Sequence, residues 1–127
     1  MAGYLKALTV GPGLTVNDLA RSLKFYEGLG FEIGERFEGG GELRGAMMVA
    51  GSGQIGISQD DFAKGRDREK GVGMRIWIET QQDIDDLAAR ARAAGIVLDA
   101  DPADMPWGGR AFAVTDPDGF KITISKT

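Results

Sequence analysis

The sequence predicts an α+β chain of two paired βαβββ modules forming a curved mixed sheet around a concave cleft, with the helices on the outer face. Three observations predict it. Two helix patterns share the same opening and closing residues, each is preceded by a strand-like stretch, and each is followed by three short alternating ones. The first helix runs from Asp18 to Leu29, with Leu19, Leu23, Tyr26 and Leu29 on one face, Asp18 as cap and Gly30 as left-handed exit. The second opens at Asp83, lines one face with Ile84, Leu87, Ala88 and Ala91, and closes at Gly95. Asp83 and Gly95 follow Asp18 and Gly30 by 65 residues each. Cap, face and exit therefore repeat as one unit.

Strands are predicted at Phe31–Phe37, Leu43–Ala50 and Gln54–Gln59 after the first helix, and at Ile96–Asp99, Arg110–Thr115 and Phe120–Ser125 after the second. The preceding stretches are Leu8–Val16, interrupted at Gly11-Pro12-Gly13, and Met74–Glu79. Between the halves, Asp60–Gly73 is rich in charge and reads as an exposed connector with one apolar exception, Phe62. One domain, 1–127, thus divides into a first module at about 5–59, a connector at about 60–73 and a second module at about 74–127. Each half alone has one small sheet and one helix, so stability requires the two to shelter a common core.

Composition narrows the chemistry. With 43% hydrophobic and 27% charged residues the chain has enough aliphatic surface to fold. A net charge of −4 without a Lys/Arg run argues against nucleic acid as a partner. No apolar window is long enough to span a membrane, and the segment Met1–Lys6 lacks a leader pattern, so a cytoplasmic protein with no membrane partner is expected. The absence of Cys and His excludes thiolate nucleophiles, Ser-His-Asp triads and imidazole metal clusters, leaving carboxylates, Arg, Lys, hydroxyls and backbone.

Alternation separates the two faces of the strands. Leu14, Val16, Ile55, Ile57, Ile76, Ile78, Ile122 and Ile124 are the core set. Their out-of-phase neighbours must face the cleft: Gly11, Gly13, Gln54, Gly56 and Ser58 in the first half, and Arg75, Trp77, Glu79, Lys121, Thr123 and Ser125 in the second. Of Met47 and Met48, one must enter the core. Asp116-Pro117-Asp118-Gly119 has the residue order of a turn, and Gly39-Gly40-Gly41 that of a flexible hairpin connection.

Val16-Asn17-Asp18-Leu19 with Arg21-Ser22, Phe25-Tyr26 and Leu29-Gly30-Phe31, followed by Pro106-Trp107-Gly108, Phe112 and Asp116-Pro117-Asp118-Gly119, resembles the vicinal oxygen chelate superfamily across nearly the whole chain. That group includes glyoxalase I, extradiol dioxygenases and bleomycin-resistance proteins. The resemblance implies the paired βαβββ fold, and it places the superfamily's metal-ligand positions on Gly11, Gly56, Arg75 and Thr123. None of these residue types replaces a carboxylate or imidazole. The chain is therefore most similar to the metal-free bleomycin-resistance-like subgroup, which implies no cofactor and a homodimer. Pro12 stands where that subgroup exchanges its N-terminal strand with the partner chain.

The expected function is metal-independent binding or sequestration of an aromatic, antibiotic-like small molecule. Trp77 and Trp107 would stack on it, Arg75, Glu79, Ser58 and Thr123 would supply polar contacts, and Phe62 would add an apolar one. The alternative is a glyoxalase-like lyase or isomerase, with Glu79 as general base and Arg75 as oxyanion stabiliser, or with an unrecognised metal site built from Gln54, Gln59 and Glu79.

Overall fold

The computed structural model describes residues 3–127; Met1 and Ala2, the start of the N-terminal segment, lie outside the described residues. The elements are β1 (Gly13–Val16), α1 (Leu19–Leu29), β2 (Glu32–Gly39), β3 (Glu42–Ala50), β4 (Gly53–Gln59), β5 (Arg75–Glu79), α2 (Ile84–Ala93), β6 (Leu98–Asp104), β7 (Arg110–Thr115) and β8 (Lys121–Lys126). The order is strand, helix and three strands, twice. Asp18 accepts from the Arg21 amide at 3.2 Å and Asp83 from the Asp86 amide at 3.1 Å, so both predicted caps satisfy an otherwise orphan donor. Gly30 closes α1 at φ 114°. In α2 the cap is Ala94, and the left-handed turn falls one residue later on Gly95 at φ 89°.

The strands form two four-stranded mixed sheets, β1-β4-β3-β2 and β5-β8-β7-β6, rather than one hydrogen-bonded sheet. In each, the first strand of the module pairs in parallel with the last and stands at an edge. Seven of the eight predicted core residues belong to one buried cluster that draws on both modules, and the partly buried Ile78 packs against it. Met48 is fully buried there, while Met47 faces the other way. Alternation sends only one of the two inward, and the pairing of Met48 with Ile55 decides which.

Three expectations change. The strand expected over Leu8–Val16 begins only at Gly13, because Pro12 has no amide to donate and the backbone before it leaves the ladder. Residues 3–12 run as an arm, tied down where the Thr9 hydroxyl donates to the Ser52 carbonyl at 3.0 Å and the Gly56 amide to the Pro12 carbonyl at 2.9 Å. The strand expected at Ile96–Asp99 lies at Leu98–Asp104, irregularly paired with β7. The connector is anchored rather than wholly exposed: the buried Asp60 carboxylate meets Arg68 at 3.0 Å and Lys70 at 2.9 Å, and Lys70 also donates to Asn17 Oδ1 at 2.6 Å.

The modules are clasped at the β7–β8 turn. The Asp116 carboxylate accepts from the amides of Asp118 and Phe120 within its own turn, and its other oxygen accepts from the Tyr26 hydroxyl of α1 at 2.8 Å. Asp118 accepts from the Asn17 amide at 3.0 Å and the Ser22 hydroxyl at 3.4 Å. Burial raises the Asp116 carboxyl above its ordinary range. Burial, reinforced by the Asp116 charge, raises the Tyr26 phenol, so that it remains a donor.

Candidate functional site

The outward face of each sheet is set by the register. In module two, three rows cross the sheet: Arg75–Lys121–Thr115, Trp77–Thr123–Ala113 and Glu79–Ser125–Ala111, with Ala100 and Ala103 of β6 continuing the last two. The edge strand β5 carries the long side chains Arg75, Trp77 and Glu79, while the inner strands carry Lys121 in the first row and hydroxyls and methyls in the others. Thr123 and Ser125 are buried beneath them. Trp77 is 53% exposed, too open for a core residue, so its ring is free to meet another molecule. The Arg75 guanidinium donates from Nη1 to Thr123 Oγ1 at 2.9 Å, and the Thr127 hydroxyl donates to the Glu79 carboxylate.

In module one the corresponding rows are Thr15–Ser58–Gly45–Phe37, Gly13–Gly56–Met47 and Gln54–Val49–Glu32. Three glycines make a smooth floor. A Cβ on Gly56 would stand 3.4 Å from the Met47 sulfur, which therefore lies across that floor. Gly11 is a close-approach residue: a Cβ there would come within 1.9 Å of the Gln54 carbonyl oxygen, so only glycine lets the arm lie against β4.

A cavity of about 710 Å³ opens at the seam between the modules. Its walls include Pro12 of the arm, Gln54 and the β3–β4 turn, Leu29 and Phe31, Trp77 and Glu79 of β5, and Leu87 and Arg90 of α2.

The predicted residues are thus distributed. Arg75, Trp77, Glu79 and Thr123 share the module-two face, and Trp77 and Glu79 also border the seam cavity. Trp107, 69% exposed, lies in the β6–β7 turn, beyond the Glu79–Ser125–Ala111 row. Ser58 is exposed on the module-one face. Phe62 lies apart in the connector, where Arg66 covers its ring at 4.4 Å and its amide donates to Asp60 at 2.9 Å. Its φ of 61° is the one positive value outside glycine among the described residues.

At the positions that the resemblance assigns to the superfamily's metal ligands, Gly11 and Gly56 offer no side-chain donor and the Arg75 guanidinium occupies the Thr123 hydroxyl. Among the described residues no three of His, Cys, Asp and Glu converge on a common point. This donor set does not fit a divalent cation. Gln59 is already committed: its amide nitrogen donates to the Asn17 carbonyl at 2.8 Å and its oxygen accepts from the Leu19 amide at 2.9 Å, so it caps α1 instead of offering a metal ligand.

Sequence reasoning missed the clasp and the anchored connector. A weak signal existed for the clasp: Tyr26 and Ser22 lie on the buried face of α1, and a buried hydroxyl needs a partner. For Asp60, expected at the surface, Lys70 lowers the carboxyl most, with the Phe62 amide next, to about 2.

Two four-stranded sheets, each belonging to one βαβββ module, define a paired-βαβββ protein. Residues 7–124 match the Glyoxalase/Bleomycin resistance protein/Dioxygenase superfamily, and the chain belongs to it. Among solved structures it is similar to a member of the same superfamily from Sphaerobacter thermophilus, at 26% identity and TM-score 0.75 over 96% of this chain and 98% of that one. TioX from Micromonospora sp. ML1 is 22% identical, with TM-score 0.73 over 93% and 95%. A lactoylglutathione lyase from Agrobacterium tumefaciens is 18% identical, with TM-score 0.65 over 91% and 90%. No curated protein matches the sequence. Among the described residues no helix is long and apolar enough to cross a membrane.

Proposed function

We propose that this protein is a metal-independent, cytoplasmic binding protein that sequesters a flat, aromatic, antibiotic-like small molecule, and that it works as a homodimer. The observation that carries this reading is the half-exposed Trp77 on edge strand β5, flanked by Arg75 and Glu79 and standing beside a floor of Thr123, Ser125 and alanines. An indole above small side chains offers a planar ligand one stacking face, while the flanking charges supply orientation. Trp107 closes the end of the same face, and Ser58 and Phe62 are the contacts proposed from module one and the connector. The glycines and Arg75 at the superfamily's ligand positions support recognition without a metal.

Dimerisation is proposed because one chain leaves too much uncovered. Tyr4, Leu5, Leu8 and Val10 of the arm are each more than 80% exposed, and β1 and β5 both end their sheets with unpaired edges. Exchange of the arm at Pro12 with a second copy would cover these groups. Titration with planar aromatic antibiotics, read by tryptophan fluorescence, tests the function: quenching that disappears in Trp77→Ala supports it, and no quenching at micromolar protein by any of them overturns it. Light scattering tests the assembly, with a monomeric mass overturning the dimer.

A further inference from the structure

We propose that the ligand carries an anionic oxygen group on its aromatic ring system, held at the Arg75 end of the module-two face. The inference rests on the binding reading above and specifies the ligand's charge and direction. Arg75 and Lys121 are register partners on adjacent strands, so two cations project side by side from one face. Like charges in that position repel, and a fold under no other demand would set a carboxylate across from one of them. Among the described residues, none does: Arg75 and Lys121 take part in no ion pair, although other arginines of this acidic chain, Arg68, Arg90 and Arg110 among them, do so. The nearest carboxylate along β5, Glu79, lies at the opposite end of the row set and accepts the Thr127 hydroxyl.

Arg75 is also braced. Its Nη1 donates to the buried Thr123 Oγ1, which uses one donor of the guanidinium and leaves others unassigned. A planar guanidinium with free parallel N–H groups matches a carboxylate or phenolate, and Lys121 adds a second positive charge. Trp77, next along the same face, is placed to stack on the ring that bears the anion. The face is therefore polarised, cationic at Arg75 and Lys121, aromatic at Trp77 and acidic at Glu79.

The test uses three probes sharing one naphthalene ring, 1-naphthoate, the uncharged 1-naphthamide and 1-naphthylmethylammonium, each titrated into the 127-residue chain by calorimetry and by tryptophan fluorescence. Naphthoate is expected to bind about tenfold or more tightly than the amide, with the preference shrinking as salt rises. Arg75→Met should remove that preference by weakening naphthoate far more than the amide, and Arg75→Lys should restore part of it. Both substitutions are at an exposed position, and an unchanged thermal unfolding midpoint confirms folding. Equal binding of naphthoate and naphthamide, or a preference that survives Arg75→Met, overturns the anionic assignment while leaving aromatic binding intact. Preference for the ammonium probe overturns it in the opposite sense. Failure of all three probes, together with failure of the antibiotics, overturns the binding reading itself.

Discussion

The two modules share a chain path and differ in what their last turn does. In module two the β7–β8 turn carries two carboxylates, and both reach module one, at Asn17 just before α1 and at Ser22 and Tyr26 within it. The 65-residue repeat maps those three positions to Gln82, Leu87 and Ala91 of the α2 segment, and maps the turn to the β3–β4 turn around Gly51–Gln54. That second turn has no carboxylate, α2 offers Leu87 and Ala91 where α1 offers hydroxyls, and the seam cavity opens there, lined by Gly51, Gln54, Gln82 and Leu87. One side is a clasp and its counterpart is a void. A duplicated architecture can thus be locked at one joint and left open at the other by a handful of side chains, with the open joint next to Trp77 and Glu79.

Removing the clasp is the strongest way to break this comparison. Asp116→Ala strands the buried Tyr26 hydroxyl and frees two turn amides, so denaturant unfolding should report a loss of about 2–4 kcal/mol. Tyr26→Phe removes both the hydroxyl and its need for a partner and should cost less. Next comes the glycine floor of module one, where a Cβ on Gly45 would lie 2.8 Å from the Ile57 carbonyl oxygen. Gly45→Ala should cost about 1–3 kcal/mol by thermal unfolding, whereas Gly13→Ala, with nothing within 4 Å, should be nearly neutral.

The faces can be compared by ligand binding. Trp77→Ala should weaken an aromatic ligand by about tenfold, and Met47→Ala, on the module-one face, by clearly less; equal losses would mean that both floors hold the ligand. The smallest effect is the connector's response to acid. Because the Asp60 carboxyl is lowered from 3.8 to about 2, its ionised form is favoured in the folded state. Its contribution is complete above the unfolded value and is lost as pH falls from about 4 to about 2. Asp60→Asn should therefore give a shallower decline of the unfolding midpoint over that interval.

What was legible depended on the distance over which each signal acts. Asp18 and Asp83 cap amides three residues away, and the alternation of Ile55 and Ile57 against Gln54, Gly56 and Ser58 is a property of neighbouring residues. These features can be read from short windows, and they were enough to send one of Met47 and Met48 to the core and to set Arg75, Trp77 and Glu79 on one face. The Tyr26–Asp116 and Asn17–Asp118 bonds join residues 90 and 101 apart, and no local pattern marks which distant carboxylate meets which hydroxyl. Asp116-Pro117-Asp118-Gly119 reads correctly as a turn from its own residues; that it also clasps α1 depends on where α1 lies. The same holds for Lys70, whose ammonium reaches Asn17 across the connector.

By itself, then, the chain's order of residues determined two capped helices, eight strands of which the first and sixth were displaced, the buried phase of β1, β4, β5 and β8, and the lack of histidine or cysteine at any site. Only the folded arrangement decided that the sheets remain two, that one joint is locked while its counterpart opens into a cavity, and that Arg75 braces on Thr123 without a carboxylate of its own. Caps and alternation arise from bonds and sterics within a few residues, whereas these later features arise where distant segments meet, and their energies depend on geometry that short stretches of sequence do not encode.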